Sequence, residues 1–325
     1  MESAESSLRA AAMRWLGALG ESVAALEALA GDVSPRRYFR LRRAAGGTAI
    51  LVAYPEEARG TCSRWLASDA LLRGAAVRTP RVLAADCDGG WMLLEDLGPA
   101  TLYEWSGGQP WPQISPRLAA AAAAAQRISG LDRAAVAHLN LPLARALLER
   151  ELDQTWELVL APRGLTDGPS LREPLRQALA VLAAHLGEGP LAPCHRDLMA
   201  RNLVPLAGNE VGVLDHQDLR LGPPFYDLAS LLNDSLYPPL QVEEEIIAPY
   251  VRSPDDRLRY RRAAAQRALK IAGTFEVFRR RGQDRHVALI APSLATAWRH
   301  LAALPETADL AEELAPLWRG QPAAS

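Results

Sequence analysis

The chain has 325 residues, room for one large or two modest domains, with 49% hydrophobic residues, 23% charged residues and a formal net charge of −2. That balance excludes intrinsic disorder across the whole chain, and so small a net charge leaves no global field to recruit nucleic acid. No apolar run approaches the roughly 20 residues that cross a bilayer, and Glu2 and Glu5 stand where a secretory leader is basic, so the expectation is a cytoplasmic protein with no membrane association.

The first thirty residues place Leu8, Met13, Trp15, Leu16, Leu19, Val23, Leu26 and Leu29 at helical spacing, which predicts one helix ended by Gly31 and Asp32. Between Tyr38 and Tyr54 two apolar runs flank Gly46-Gly47, the pattern of a β-hairpin. Residues 61–72 return to helical spacing, and residues 82–84 and 91–94 flank Cys87-Asp88-Gly89-Gly90 as a second hairpin. After Leu97-Gly98-Pro99 strands nearly stop. Residues 107–116, rich in Pro and Gly, predict a loop, and the alanine run at 119–125 a helix. Helical patterns follow over 150–160 and 171–186, then a β-like island at 203–204 and 211–214, then helices to the end. The expected fold class is α+β, a small mixed sheet over residues 1–95 followed by a mostly helical part over 96–325. Cys62, Cys87 and Cys194 lie far apart in the chain without metal-ligand spacing, which fits a reducing compartment.

Chemistry concentrates at His195-Arg196-Asp197-Leu198-Met199-Ala200-Arg201-Asn202, with Val213-Leu214-Asp215 ending thirteen residues after Asn202. This is the His-Arg-Asp-Leu-x-x-x-Asn pattern of a phosphoryl-transfer loop followed by an acid at the end of a short hairpin. Phosphoryl transfer needs an acceptor hydroxyl aligned with the γ-phosphorus and compensation of the spread charge. Asp197 is the candidate to orient that hydroxyl and take its proton. Asn202 and Asp215 are candidate oxygen ligands for Mg²⁺, a cation that prefers hard donors. His195 is expected to prop the loop by hydrogen bonds.

On these residues the chain resembles the aminoglycoside phosphotransferase and choline kinase superfamily. Gly222-Pro223-Pro224-Phe225-Tyr226-Asp227-Leu228-Ala229 resembles its Gly-Pro-x-x-x-Asp-Leu-Ala segment, and Trp91 to Gly98 its interlobe hinge. A narrower likeness, carried by Arg36-Arg37-Tyr38-Phe39-Arg40, by 93–98 and by Leu269-Lys270-Ile271-Ala272-Gly273-Thr274-Phe275, is to bacterial anomeric kinases of N-acetylmuramate and N-acetylglucosamine. The resemblance implies a two-lobed kinase-like fold, ATP and Mg²⁺, main-chain contacts from Glu95 to Leu97 to adenine, and Asp227 as support for the loop. It implies a small-molecule sugar acceptor phosphorylated in cell-wall recycling. Aminoglycoside, choline or homoserine phosphorylation is the second enzymatic reading, and a catalytically dead nucleotide-binding module is the third.

Two features depart from the kinase pattern. The third strand, Ile50 to Tyr54, lacks the phosphate-pairing lysine, and of 36 basic residues the one lysine is Lys270. The nucleotide loop, 32–38, has no Gly-x-Gly-x-x-Gly; Ser34 with Arg36, Arg37 or Arg40 are its expected phosphate donors, Arg37 foremost. Asp234 is read either as a sugar-pocket acid or as a helix cap. Tyr226 and Tyr237 are read as buried or as sugar-stacking. The basic residues between Arg252 and Arg285, interrupted by acids, predict a solvated helix face and no nucleic-acid surface, with one or two of them free to meet an acidic sugar substituent.

Overall fold

The computed structural model describes residues 2–29, 35–164 and 171–319. Five antiparallel strands form the N-terminal sheet: β1 (Val23–Leu29), β2 (Arg37–Arg43), β3 (Thr48–Ala53), β4 (Val82–Asp86) and β5 (Trp91–Glu95), in the order β1-β2-β3-β5-β4. Because side chains alternate along a strand, neighbouring residues serve opposite faces. Phe39, Leu41, Leu51 and Leu93 pack on Ala12 and Leu16 of α1 (Glu2–Ala18). Val52, Met92 and Leu94 pack on Cys62 and Trp65 of α2 (Arg59–Gly74). Both predicted hairpins and the helix over 61–72 are present.

Residues 23–29 are a strand, not the end of the first helix. Gly20, at φ +78°, ends α1 early, and the next residues pair with β2, Leu26 opposite Leu41. Alanine, leucine and glutamate are good helix formers, but the free edge of β2 offers a full ladder of backbone hydrogen bonds, and Glu21 fixes the entry by a 2.7 Å ion pair with Arg43.

The remainder is helical: α3 (Leu102–Ser106), α4 (Trp111–Ser129), α5 (Arg133–Ala137), α6 (Arg145–Thr155), α7 (Arg172–Gly187), α8 (Tyr226–Leu232), α9 (Leu240–Ile247), α10 (Pro254–Arg280), α11 (Ile290–Leu301) and α12 (Ala311–Arg319). The predicted loop over 107–116 is half helix. α4 starts at Trp111 with Pro112 in its first turn, where a backbone N–H has no helical partner, and carries Pro116 for the loss of one rung. Among the described residues two short ladders interrupt the helices as two small sheets: β6 (Ala192–Cys194) with β9 (Arg220–Gly222), and β7 (Leu203–Pro205) with β8 (Val211–Val213). The second is the island read in the sequence; the first, Ala-Pro-Cys against Arg-Leu-Gly, lacks the apolar run that marks the second.

Cys62 and Cys87, distant in sequence, are joined as a disulfide that ties α2 to the β4–β5 turn, with Cα atoms 5.5 Å apart. The spacing argument for a reducing compartment therefore fails, because the sheet brings together what the chain separates. Among the described residues no helix is long and apolar enough to cross a membrane.

α10 is the central post of the helical part. It crosses the end of α6 at Gly273, where a Cβ would press into Thr155, whose hydroxyl donates to Leu269 O at 2.8 Å. Alanine normally improves a helix by up to about 1 kcal/mol over glycine. At this crossing the clash decides the sign: Gly273→Ala is expected to lower stability by about 1–3 kcal/mol, read from the midpoint of urea unfolding.

Candidate active site

The loop after β6 is held at its start by one carboxylate. Asp227, in the first turn of α8, accepts the backbone N–H of His195 at 2.7 Å and of Arg196 at 2.9 Å. Burial pushes the Asp227 carboxyl up, and the two N–H donors oppose that shift. Arg196 sits at φ +76°, a conformation costly for a residue with a Cβ, and its guanidinium is pinned by Glu151 at 3.0 Å and Asp218 at 3.1 Å. His195 is fully buried and its Nε2–H donates to Leu214 O at 2.9 Å.

Leu214 also closes the other side. Its N–H donates to Asn202 O at 2.8 Å, continuing the β7–β8 register in which Leu203 faces Val213. Asn202 and Asp215 are thereby set at adjoining ends of one hairpin. The Asn202 amide N–H donates to Asp197 O at 2.9 Å, so its side-chain oxygen has no protein donor among the described residues. Asp215 adopts φ +59° and keeps 38% of its side chain exposed. An amide oxygen and a carboxylate on neighbouring turns fit Mg²⁺, which takes one or two protein oxygens and completes its shell with phosphates and water. No group of three or more His, Cys, Asp or Glu positioned for a metal occurs among the described residues.

The Asp197 carboxylate accepts Arg267 Nη1 at 2.7 Å, with Lys270 Nζ at 3.5 Å. Burial alone raises its pKa, but Lys270, Arg267 and Arg196 outweigh burial and hold it well below the usual carboxylate range. Lys270 is lowered as well, by burial and by Arg267, with Asp197 opposing the shift. Arg267 is itself fully buried and donates from Nη2 to Asp234 at 2.7 Å. Asp234 also takes Arg201 at 2.9 Å and Ser235 at 2.6 Å, and it caps no helix. With 0% exposure, Asp234 meets Asp197 only through Arg267. The solvated-face reading of the basic stretch fails for Arg267 and Lys270, three residues apart on the inner side of α10.

On the sheet side, Ser34 lies outside the described residues. Arg37 is exposed at the start of β2, while Arg36, 8% exposed, turns inward to Asp215 at 2.8 Å and Gln217 at 3.1 Å. Arg40 pairs with Asp96 at 2.8 Å. The Glu95 carboxyl is held down to about 2 by its hydrogen bond from Arg78. Leu97 packs on Gly212, where a Cβ would collide with its side chain, so the hinge lies against β8. His216 bonds Ser68 at 2.8 Å and lies against the Trp65 ring with centroids 4.3 Å apart, joining α2 to the Asp215 turn. Burial, with His195 and Arg36 nearby, lowers its pKa to about 3, so the ring is neutral.

A part-buried acid kept ionised on the loop that runs to Asn202, with Asp215 on the adjoining hairpin end, an antiparallel sheet before it in the chain and a helical base around it, is the arrangement of a phosphotransferase of the protein-kinase-like fold. The chain matches the model of the Phosphotransferase enzyme family over residues 25–265 and belongs to that family. It is 30% identical to an N-acetylmuramate/N-acetylglucosamine kinase of Pseudomonas aeruginosa over 306 residues, 89% of this chain and 87% of that one. A protein of the same name from Pseudomonas putida is 30% identical over 91% of this chain and 89% of its own. Among solved structures, a choline kinase from Streptococcus pneumoniae shares the fold at TM-score 0.60 and 14% identity, covering 91% of this chain and 99% of that chain. An ADP-bound aminoglycoside phosphotransferase does so at TM-score 0.57 and 11% identity, over 95% and 98%. The protein is a small-molecule kinase.

His286, stacked on Phe275 at 5.1 Å, bonds Arg201, and burial with Arg201 and Arg285 lowers its pKa to about 4. An unfolded histidine takes its proton near 6.5. The native state resists that proton, so this contribution to stability is complete above pH 6.5 and is lost as pH falls toward 4. His286→Gln is expected to flatten the decline of Tm across that window, measured by thermal unfolding at stepped pH.

Proposed function

We propose that the protein transfers the γ-phosphate of ATP to the anomeric hydroxyl of an N-acetylmuramate- or N-acetylglucosamine-type sugar, serving cell-wall recycling in the cytoplasm. The observation that carries the reading is the Asp197 carboxylate, held ionised by Lys270 and Arg267 on the loop whose far end, Asn202, is tied by hydrogen bonds to Asp197 O and to the residue before Asp215. The names of the relatives at 30% identity support the sugar.

In this reading residues 1–95 hold the nucleotide, with adenine against the main chain of Glu95 to Leu97, and residues 96–325 hold the acceptor. Asp197 accepts a hydrogen bond from the sugar hydroxyl and fixes its line of attack. Two adjacent cations make the carboxylate a weak base, so it receives the proton only as the bond to phosphorus forms, in keeping with a loose transition state. Arg267 positions Asp197 and draws its own rigidity from buried Asp234, which acts behind the pocket wall. Asn202 and Asp215 would hold Mg²⁺, which compensates charge on the β- and γ-phosphates. Ser34 and Arg37 remain proposed phosphate donors at the sheet side, while His195 and Asp227 keep the loop in place.

The cations around Asp197 oppose a second cation in the acceptor, which disfavours choline and polycationic drugs. The retained Asp197, Asn202 and Asp215 disfavour a dead module. ATP consumption measured against a panel of amino sugars, with choline and kanamycin as controls, is expected to select an amino sugar. Asp197→Asn should lower kcat by about 10² to 10⁴ while ADP binding persists. Full turnover by that variant would remove Asp197 from the reaction.

A further inference from the structure

β3 reads Thr-Ala-Ile-Leu-Val-Ala and carries no basic residue, so the charge that a kinase of ordinary pattern places there has to arrive from another element. Three of the arginines on the sheet are engaged by acids, Arg40 by Asp96, Arg42 by Glu27 and Arg43 by Glu21, while Arg37, the donor proposed above, lies exposed at the surface. Arg36 differs. It stands immediately before β2, and since Arg37 pairs with Ala53, Arg36 lies level with Tyr54 at the far end of β3. Its guanidinium crosses from the sheet to the hairpin, with Nη2 at 2.8 Å from Asp215 and Nη1 at 3.1 Å from Gln217, and it lies 5.5 Å from the centre of the Tyr38 ring. At 8% exposure it is a buried cation linking the sheet directly to the metal-ligand acid.

The geometry points to Arg36 as a nucleotide-phosphate-binding residue, carrying from the start of β2 the charge that β3 lacks. This rests on the phosphotransferase reading of Asp215. Arg36 is also hydrogen-bonded to Tyr54, and a guanidinium is planar with its charge spread over the whole fork, so it can hold a carboxylate on one edge and still bring positive charge to a phosphate oxygen. A lysine ammonium on β3 would bring one point of charge; Arg36 brings charge and also sets the Asp215 carboxylate, through contacts to Asp215 and to its neighbour Gln217. Tyr38 and Tyr54, both raised above their ordinary values by burial, mark the surroundings as poorly hydrated, where a charge-assisted contact to phosphate is strengthened.

The test is equilibrium binding by calorimetry in the presence of Mg²⁺, using ADP and adenosine on the wild-type chain and on two variants. Arg36→Gln removes the charge and retains a hydrogen-bonding amide toward Asp215; Arg36→Lys retains the charge. Arg36→Gln is expected to weaken ADP by at least about tenfold and leave adenosine within twofold, since adenosine reaches the hinge and not the phosphate site. Arg36→Lys is expected to recover most of the ADP affinity. Unchanged ADP affinity in Arg36→Gln, or equal losses for ADP and adenosine, would overturn the assignment. A wild-type chain that binds neither ligand would instead refute the phosphotransferase reading itself, so the two failures are distinguishable.

Discussion

The peptide group of Leu214 is the joint on which the site is built. Its carbonyl accepts His195 Nε2 and its N–H donates to Asn202 O, so one residue fixes the start of the loop, the end of the loop and the following Asp215. Neither bond is strong by itself, each contributing about 0.5–1.5 kcal/mol net. Their value is positional, because both partners are already constrained: His195 by Asp227, and Asn202 by the β7–β8 ladder. With the joint made, Asp215 is forced into the left-handed region at φ +59°, and local strain is tolerated because the surroundings determine it several times over.

Around that joint the protein spends charge rather than apolar bulk. Arg267, Asp234 and Arg201 form a buried ionic chain that ends on Asp197. Burying ions is costly unless each is paired with good geometry. Here Asp234, wholly buried, takes donors on both oxygens, and Arg267 takes an acid at each of two nitrogens. The chain therefore fixes the orientation of the Asp197 carboxylate from the α10 side. Arg36 does the corresponding work from the sheet, and neutral His216, bonded to Ser68, docks α2 against the same turn.

Much of this was legible in the amino-acid order. The spacing from His195 to Asn202 and on to Asp215 carries the chemistry locally, and the β7–β8 island and both N-terminal hairpins follow from short-range pattern. What was not legible depends on tertiary contact. β1 reads as helix because its residues favour helix, and only the edge of β2 makes it a strand. Arg267 is one of many arginines on α10, and nothing in a charge run says which member faces inward. Arg36 and Arg37 are adjacent and chemically identical; the pleat of β2 decides that one turns in and the other out. The Cys62–Cys87 pair likewise needs the sheet to close before it exists.

The central claim is that Asn202 and Asp215 converge on one divalent ion next to Asp197. A crystal structure of the protein with Mg²⁺, a nucleotide and a non-hydrolysable γ-phosphate mimic measures this directly. The account predicts an ion with the Asn202 amide oxygen and an Asp215 carboxylate oxygen both at about 2.0–2.1 Å, and the acceptor hydroxyl within hydrogen-bond reach of Asp197. An ion bound by other residues, with Asp215 still held only by Arg36 and Gln217, would contradict it.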